Sequence, residues 1–221
     1  MTHTPFQPFL VLVTARQRVA PSARTVRDEL RALVGFIAEG AAAGVPLVQI
    51  REGDLEVGTL LTLAREAVSA VQGTSCRVVV NDRVDVAIAS GAHGVHLKSA
   101  GPPAARVRQM SDQGWTVGQS AHTAAELVHG RGADYLVFGT VFETASKPDV
   151  AEQGVERLTD AVRQASAPLV AIGGITSGRL GVCARAGAAG VAGISWLLPP
   201  ALGGVGPAEA VRAARAAFVA H

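Results

Sequence analysis

VVVNDRVDVAIASGAHGVHL, residues 78–97, is the stretch of sequence that decides the fold. Its first residues belong to a β-branched run at 76–82, which predicts a strand. Residues 84–90 predict a short helix that ends at Gly91, and residues 94–98 predict the next strand. Both strands are apolar on both faces, which is typical of a parallel sheet covered by helices. The stretch therefore predicts one strand–helix–strand unit of such a sheet.

The same alternation continues along the whole chain. Strands are predicted at residues 9–14, 45–52, 76–82, 94–98, 116–121, 135–141, 168–174 and 190–196. Helices are predicted at residues 25–40, 55–71, 84–90, from Pro102 onwards, and at 123–132, 155–165, 177–187 and 208–220. Eight such units in 221 residues predict an α/β protein with a (β/α)8 TIM barrel as a single domain, residues 1–221. The rival is a doubly wound open sheet, which usually has fewer strands, and no GxGxxG follows the first strand here.

Composition excludes several classes of protein. The formal net charge is +2, and no basic run or aromatic–basic interleaving suggests a nucleic-acid partner. No apolar run reaches the roughly 18 residues that span a bilayer, and the first residues lack a signal-peptide pattern. Cys76 and Cys183 lie far apart and are expected to be buried free thiols. We therefore expect a cytoplasmic protein without a nucleic-acid or membrane partner, and a homo-oligomer, since barrels of this size often associate.

Polar residues follow nearly every predicted strand. In a (β/α)8 barrel the active site lies at the carboxyl ends of the strands, so these residues are expected to share one mouth. They are Thr14, Gln49, Arg51, Asn81, Asp82, His96, Lys98, Ser120, His122, Thr140, Gly173, Gly174 and Ser195. Polar groups there need partners or solvent. The ring of polar residues therefore indicates a functional site rather than a purely structural end of the barrel.

Two glycines after the seventh strand predict a phosphate site. Gly173 and Gly174 let the backbone approach an anion, and barrels often bind phosphate after strands seven and eight. The alternative is a tight turn without a ligand. Arg51 and Lys147 are candidates for anion contact, although in isolation Lys147 would be taken as a solvated loop lysine.

His122 is the candidate for proton transfer, because the unperturbed pKa of histidine lies nearest neutrality. A packed or capping ring is the alternative. His96 is interpreted as structural from its position within a strand, and no pair of histidines has a spacing typical of zinc. The polar loop at residues 142–153 is a lid candidate. In it, Glu143 is expected to orient a substrate or a base, with a salt bridge to Arg51 as the alternative.

Several stretches together resemble the thiamin phosphate synthase and thiazole tautomerase superfamily. They are VQIRE, VVVNDRVDVAIASGAHGVHL, VGQSAHTAAEL, GADYLVFGTVFETASK, PLVAIGGI and AGAAGVAGIS, which recur in order within residues 45–196. Together they are highly specific, though each alone is not. The resemblance implies a (β/α)8 barrel that handles thiazole phosphates in thiamin metabolism.

The synthase branch joins a pyrimidine pyrophosphate to a thiazole phosphate and needs magnesium. Its pattern after strand two is roughly Gln-x-Arg-x-Lys, and Gly53 stands here at the lysine position. Its second magnesium carboxylate follows the His-Leu of strand four by four residues, where this chain has Gly101. Lys98 is a candidate to substitute for the missing lysine, although it follows a different strand. Residues that still match the synthase pattern are Asn81, Asp82, Ser120, Thr144, Ser146 and Lys147.

The tautomerase branch lacks the same two features, and it resembles this chain in Val141-Phe142-Glu143-Thr144 and in Gly154-Val155. Its reaction is a proton shift that aromatises a carboxythiazole phosphate, and it needs no metal. We therefore interpret the chain as a thiazole tautomerase without a cofactor. The alternatives are a magnesium-dependent thiamin phosphate synthase and a non-catalytic regulator that binds thiazole or thiamin phosphate.

The tautomerase resemblance implies a role for each residue of the mouth. His122 matches the proton shuttle, and Arg51 is expected to face the substrate carboxylate. Asp82 is expected to hydrogen-bond within the mouth, to Arg83 or to a substrate group. The phosphate is expected on Gly173, Gly174, Ile194 and Ser195. The other substrate-binding candidates are Gln49, Asn81, Ser120, Glu143, Thr144, Ser146 and Lys147.

Overall fold

Eight parallel strands close into a barrel in sequence order, so that β8 pairs with β1. The computed structural model describes residues 8–110, 114–144 and 151–219. The strands are β1 Leu10–Val13, β2 Leu47–Ile50, β3 Arg77–Asn81, β4 Gly94–Leu97, β5 Thr116–Ala121, β6 Tyr135–Gly139, β7 Leu169–Ile172 and β8 Gly190–Gly193. Each lies within one of the eight predicted strands. The predicted (β/α)8 architecture is thus confirmed.

Helices follow the strands around the outside of the barrel. They are α1 Arg16–Val19, α2 Val26–Ala43, α3 Val57–Ala70, α4 Val84–Ser90, α5 Ala104–Arg108, α6 Ala124–His129, α7 Gly154–Gln164, α8 Leu180–Arg185 and α9 Pro207–Phe218. Short 3-10 turns lie at Ser177–Arg179, Ser195–Leu197 and Pro200–Leu202. Helix α1 was not predicted, because four residues are too few to show a periodic pattern.

Helix α2 runs three residues beyond its predicted end at Gly40. Gly40 is buried within the helix, and a Cβ there would lie 3.2 Å from Leu12 Cδ1, so this glycine permits packing on β1. The stop is Gly44, which adopts φ 95° in the left-handed region and donates its N–H to the carbonyls of Ala41 and Gly40.

The core has two layers because alternate strand residues point to opposite sides. The inner cluster fills the barrel and contains Val11, Val13, Leu47, Val79, Tyr135, Val137, Val170 and Ala192. The outer cluster lies between the strands and the helices, and Val78 and Val80 belong to it. Successive strand residues are therefore buried on opposite faces of the sheet, which explains why the strands are continuous apolar runs in the sequence.

Burial also sets the properties of the two thiols, which are free as expected. It raises the pKa of Cys76 to about 12 and that of Cys183 to about 11, so both stay protonated near neutral pH. Among the residues that the structure describes, no helix is both long and apolar enough to cross a membrane.

Candidate active site

A cavity of about 450 Å³ opens at the carboxyl ends of the strands. Its size suits a small-molecule ligand. It is lined by Val13, Gln49, Arg51, Asn81, His96, Lys98, Ser99, Ala100, Ser120, His122, Val137, Thr140, Thr144, Ile172, Gly173, Gly174, Ile175, Ala192, Gly193, Ile194, Ser195 and Trp196. The floor is apolar and the rim is polar, as expected for a ligand held in a barrel mouth.

Most of the site residues predicted from the sequence meet in this pocket. Those that line it are Gln49, Arg51, Asn81, Ser120, His122, Thr144, Gly173, Gly174, Ile194 and Ser195. Asp82 and Glu143 do not line it. Ser146 and Lys147 lie outside the described residues, as do residues 145–150 of the predicted lid at 142–153, so their roles stay predictions.

Two amide side chains meet at the ends of β2 and β3. Gln49 Nε2 donates to Asn81 Oδ1 over 2.9 Å, and Gln49 is buried. The pairing leaves the Gln49 carbonyl as an acceptor and the Asn81 amino group as a donor for a ligand. The pair fits a site that recognises a ligand carrying both a donor and an acceptor.

His122, which follows β5, is held by its Nδ1 against the Gly139 carbonyl oxygen. A carbonyl oxygen only accepts, so Nδ1 carries the proton and donates it. The Nε2 of the neutral ring is therefore an acceptor, suited to act as a base toward a ligand. The backbone N–H of His122 also donates to Glu126 Oε2 over 2.6 Å, which fixes the loop that carries the ring.

His96 was interpreted as structural, and the structure places it inside the barrel, where it also lines the pocket. Its Nδ1 lies 3.0 Å from the Tyr135 hydroxyl, and its Nε2 lies 3.0 Å from Ser120 Oγ. Burial lowers the pKa of His96 to about 3, and Arg51 adds to that shift. The ring is therefore neutral across the physiological range.

Asp82 pairs with Lys98, and the expectation of a bond to Arg83 is wrong. Lys98 Nζ lies 2.5 Å from Asp82 Oδ2, while Arg83 turns outward and pairs with Asp85. Asp82 reaches this position because its backbone adopts φ 63°, an uncommon conformation for a residue other than glycine. The carboxylate is thereby already neutralised by a protein cation.

Gly101 lies beside the same pair. A Cβ at this position would be 3.6 Å from Asp82 Oδ1, so a carboxylate grown from residue 101 would face Asp82. Magnesium is usually held by one or two carboxylates together with substrate phosphates. Here one carboxylate is bound to an ammonium group and the other is missing. The residues at 82, 98 and 101 therefore do not fit the magnesium site that the synthase resemblance implies.

Arg51 faces the pocket, and no ion pair joins it to Glu143 in the described part of the chain. Its backbone N–H donates to Thr14 Oγ1 over 2.9 Å. The next residue, Glu52, is buried and accepts from the backbone N–H and from the guanidinium of Arg16, each over 3.0 Å. These bonds fix the β2–α3 loop and hold Arg51 at the mouth.

The structure requires glycine at both positions of the pair after β7, and the pair also lines the pocket. A Cβ on Gly173 would lie 2.5 Å from Thr140 Cγ2, and one on Gly174 would lie 2.4 Å from the Glu143 carbonyl oxygen. Both residues also have positive φ, 102° and 62°. The turn after β6 and the turn after β7 therefore touch only because both residues lack side chains.

Arg18, on α1, is a further cation that the sequence did not single out. Its Nη1 lies 2.5 Å from Ser195 Oγ, across the β1–β8 closure of the barrel. Because the chain separation is 177 residues, only the closed barrel brings the two together. The arginine could have been suspected only from its place in the segment that follows the first strand.

Comparison with known proteins places this geometry in a family. A sequence model described as Thiamine monophosphate synthase matches residues 11–197. A Geobacter sulfurreducens protein, provisionally named a thiamine-phosphate synthase, is 41% identical over 166 residues, covering 73% of this chain and 78% of its own. The thiamine-phosphate synthase of Methanoculleus marisnigri is 38% identical over 158 residues, covering 70% and 75%. The solved thiamine phosphate pyrophosphorylase of Pyrococcus furiosus is 26% identical, with a TM-score of 0.76 over 95% of both chains. The chain therefore belongs to the thiamine monophosphate synthase family.

Proposed function

We propose that the protein binds a thiazole phosphate in the pocket and converts it to thiamin phosphate. In this reaction the thiazole ring nitrogen bonds to the methylene carbon of a pyrimidine pyrophosphate. The bond from that carbon to oxygen breaks, and pyrophosphate leaves with the electron pair. The observation that carries the proposal is the family match from β1 to β8, which includes the strand ends that line the pocket. The names of the Geobacter and Methanoculleus relatives support the same reaction.

The pocket residues suit the charges of this reaction. Negative charge develops on the departing pyrophosphate, and preorganised cations stabilise such charge. Arg51 and Lys98 line the pocket, and Arg18 reaches Ser195 at its rim. Gln49 and Asn81 offer one acceptor and one donor to a heteroaromatic ring. The turns at Gly173 and Ser195 lie after β7 and β8, where barrels often bind phosphate.

We also propose that the reaction uses no magnesium ion bound between residues 82 and 101. The misfit of this site supports the proposal: Asp82 holds Lys98, and Gly101 supplies no ligand.

A second candidate is the thiazole tautomerase reaction, which the same misfit favours because a proton shift needs no metal. His122 supports it by geometry, since its Nε2 is the unprotonated nitrogen of a ring that lines the pocket. The imidazole would take a proton from one carbon of the ylidene form and return it at another, which leaves the thiazole aromatic. No relative named above carries this activity in its name, and the synthase reaction therefore stands first.

A paired assay on purified protein separates the candidates. One arm supplies the pyrimidine pyrophosphate and thiazole phosphate, with and without magnesium, and follows thiamin phosphate. The other supplies the ylidene carboxythiazole phosphate and follows aromatisation by absorbance. Turnover in the first arm alone supports the synthase, and turnover in the second alone supports the tautomerase. Tight binding of thiazole phosphate without turnover in either arm would overturn both and support the non-catalytic regulator.

A further inference from the structure

Three polar groups, two of them buried, form a chain that runs from the barrel interior to the pocket. The Tyr135 hydroxyl contacts His96 Nδ1, and His96 Nε2 contacts Ser120 Oγ, each over 3.0 Å. Tyr135 is fully buried and His96 is 1% exposed, whereas Ser120 lines the pocket. The three side chains come from β6, β4 and β5, so the parallel register of the barrel sets their spacing.

The direction of the hydrogen bonds follows because the buried Tyr135 hydroxyl requires an acceptor for its proton. Among the described residues, the Tyr135 hydroxyl has one hydrogen-bond partner, His96 Nδ1. A buried O–H without an acceptor is costly. Because the neutral imidazole has one accepting nitrogen, Tyr135 donates to Nδ1 only if the His96 proton sits on Nε2. The opposite tautomer would leave the tyrosine proton without an acceptor.

The His96 imidazole does not carry protons on both nitrogens. A charged imidazolium inside the barrel would lose its hydration, and burial lowers the pKa of His96 to about 3. Nearby Arg51 also disfavours the positive charge, and Asp82 opposes this effect only as a smaller contribution. The ring therefore keeps a single proton, on Nε2.

We propose that Tyr135 and His96 are positioning residues that make Ser120 a hydrogen-bond donor toward the ligand. His96 Nε2–H occupies an acceptor lone pair of Ser120 Oγ, and the serine is then left with its own O–H to give. Its partner would be a hydrogen-bond acceptor of the bound ligand: an unprotonated ring nitrogen or a phosphate oxygen. The inference rests on the proposed function only in taking this pocket as the ligand site, and it holds for either reaction.

The first test reads the tautomer of His96 without any ligand or turnover. Nitrogen-15 NMR of the whole protein, with the His96 ring assigned through its own Cβ, should give a protonated Nε2 and an unprotonated Nδ1. In Tyr135→Phe, where Nδ1 has no donor, the two tautomers should mix. A wild-type ring protonated on Nδ1 would overturn the inference even if the proposed reaction were demonstrated.

The second test is a double-mutant cycle on affinity, with thiazole phosphate and inorganic pyrophosphate as separate probes. Ser120→Ala should weaken binding of at least one probe about tenfold, the effect of one hydrogen bond to a charged or polar acceptor. Tyr135→Phe should weaken the same probe in the wild-type background and have no further effect in Ser120→Ala, since it acts through the serine. The inference would be overturned if Tyr135→Phe weakened binding equally in both backgrounds. It would also be overturned if Ser120→Ala weakened binding of neither probe. If Tyr135→Phe fails to fold, the wild-type tautomer and Ser120→Ala still decide it.

Discussion

Lys98 Nζ lies 2.5 Å from Asp82 Oδ2, so an ammonium group lies beside the Asp82 carboxylate. A side chain at residue 101 would face the other oxygen of the same carboxylate, Oδ1. The two residues follow β3 and β4, which are neighbours in the barrel. The lysine side chain is 65% exposed and lines the pocket, whereas Asp82 lies behind it. The pair, whose charges balance, thus presents the ammonium group of Lys98 to a ligand.

Removing the lysine and adding a carboxylate at residue 101 should create a metal site. In the double variant Lys98→Met/Gly101→Asp, two carboxylates would face each other without a competing cation. Magnesium binding should therefore appear, since such ions are held by one or two carboxylates. Isothermal titration with Mg²⁺, or the electron paramagnetic resonance of added Mn²⁺, measures the gain.

The matched control for this exchange is Gly101→Asp alone. Lys98 remains in that variant and can pair with both carboxylates, so metal affinity should stay below that of the double variant. The prediction fails if the wild-type protein already binds Mg²⁺ as tightly as the double variant does. That result would also contradict the proposal of a site without magnesium.

His122→Ala tests the role of His122 in the tautomerase reaction. If the protein is a tautomerase, the variant should lose about 10²–10⁴-fold in turnover, the usual contribution of a general acid–base group. Thiazole phosphate should still bind, because the anions are held by other residues. Measuring both turnover and Kd checks this, and full tautomerase activity in the variant would remove His122 from the mechanism.

The barrel and its mouth could be predicted because they depend on strand order alone. The apolar run around Val79 predicts a strand, and Asn81 is its polar end. Closure of the eight strands into a barrel then brings all such ends together. Ten predicted residues line one pocket for that reason. The rule that sites lie at the carboxyl ends of the strands needs no side-chain detail.

Side-chain partners could not be predicted, because they depend on register and local backbone. His96 lies between apolar neighbours on a strand buried on both faces, so alternation alone left its direction open. Register resolves it: His96 is paired with Asn81, which points to the mouth, and neighbours in register point to the same face. Similarly, the positive φ of Asp82 turns it to Lys98, and nothing in the sequence signals that conformation.

The low pKa of His96 predicts a loss of stability in acid. Its pKa is about 3 in the folded protein, against 6.5 for an unperturbed histidine. Between these values the unfolded chain binds more protons, so the free energy of unfolding falls as pH decreases from about 6.5 to 3. Each unit of pKa difference corresponds to about 1.4 kcal/mol. Urea unfolding at several pH values in this window should show the decrease, with a smaller slope in His96→Gln. Equal slopes would mean that His96 does not cause it.

Arg18→Gln should weaken binding of the phosphate end of the ligand. Its guanidinium lies against Ser195 at the predicted phosphate position, and a charge-assisted contact of this kind accounts for about tenfold in affinity. Thiazole phosphate should therefore bind less tightly, while the unphosphorylated thiazole alcohol should bind as it does to the wild type. Equal losses for both ligands would place the phosphate elsewhere in the pocket.

Arg16 should be important for stability, and through the β2–α3 loop for the position of Arg51. It is 6% exposed and pairs with Glu29, Glu52 and Asp54 at 2.7, 3.0 and 2.6 Å. Removing one partner of a buried ion pair costs about 3–5 kcal/mol, because a buried charge is left uncompensated. Arg16→Met should lower the free energy of unfolding by that amount and raise KM more than it lowers kcat.

The matched control for Arg16 is Arg31→Met, which removes an exposed partner of Asp28 at 3.8 Å. Surface pairs of this kind contribute about 0–1 kcal/mol, so the stability of this variant should be close to that of the wild type. Urea unfolding and steady-state kinetics on both variants make the comparison. If Arg16→Met is no less stable than Arg31→Met, the network is not a stabilising element. If its KM is unchanged, the network does not position Arg51.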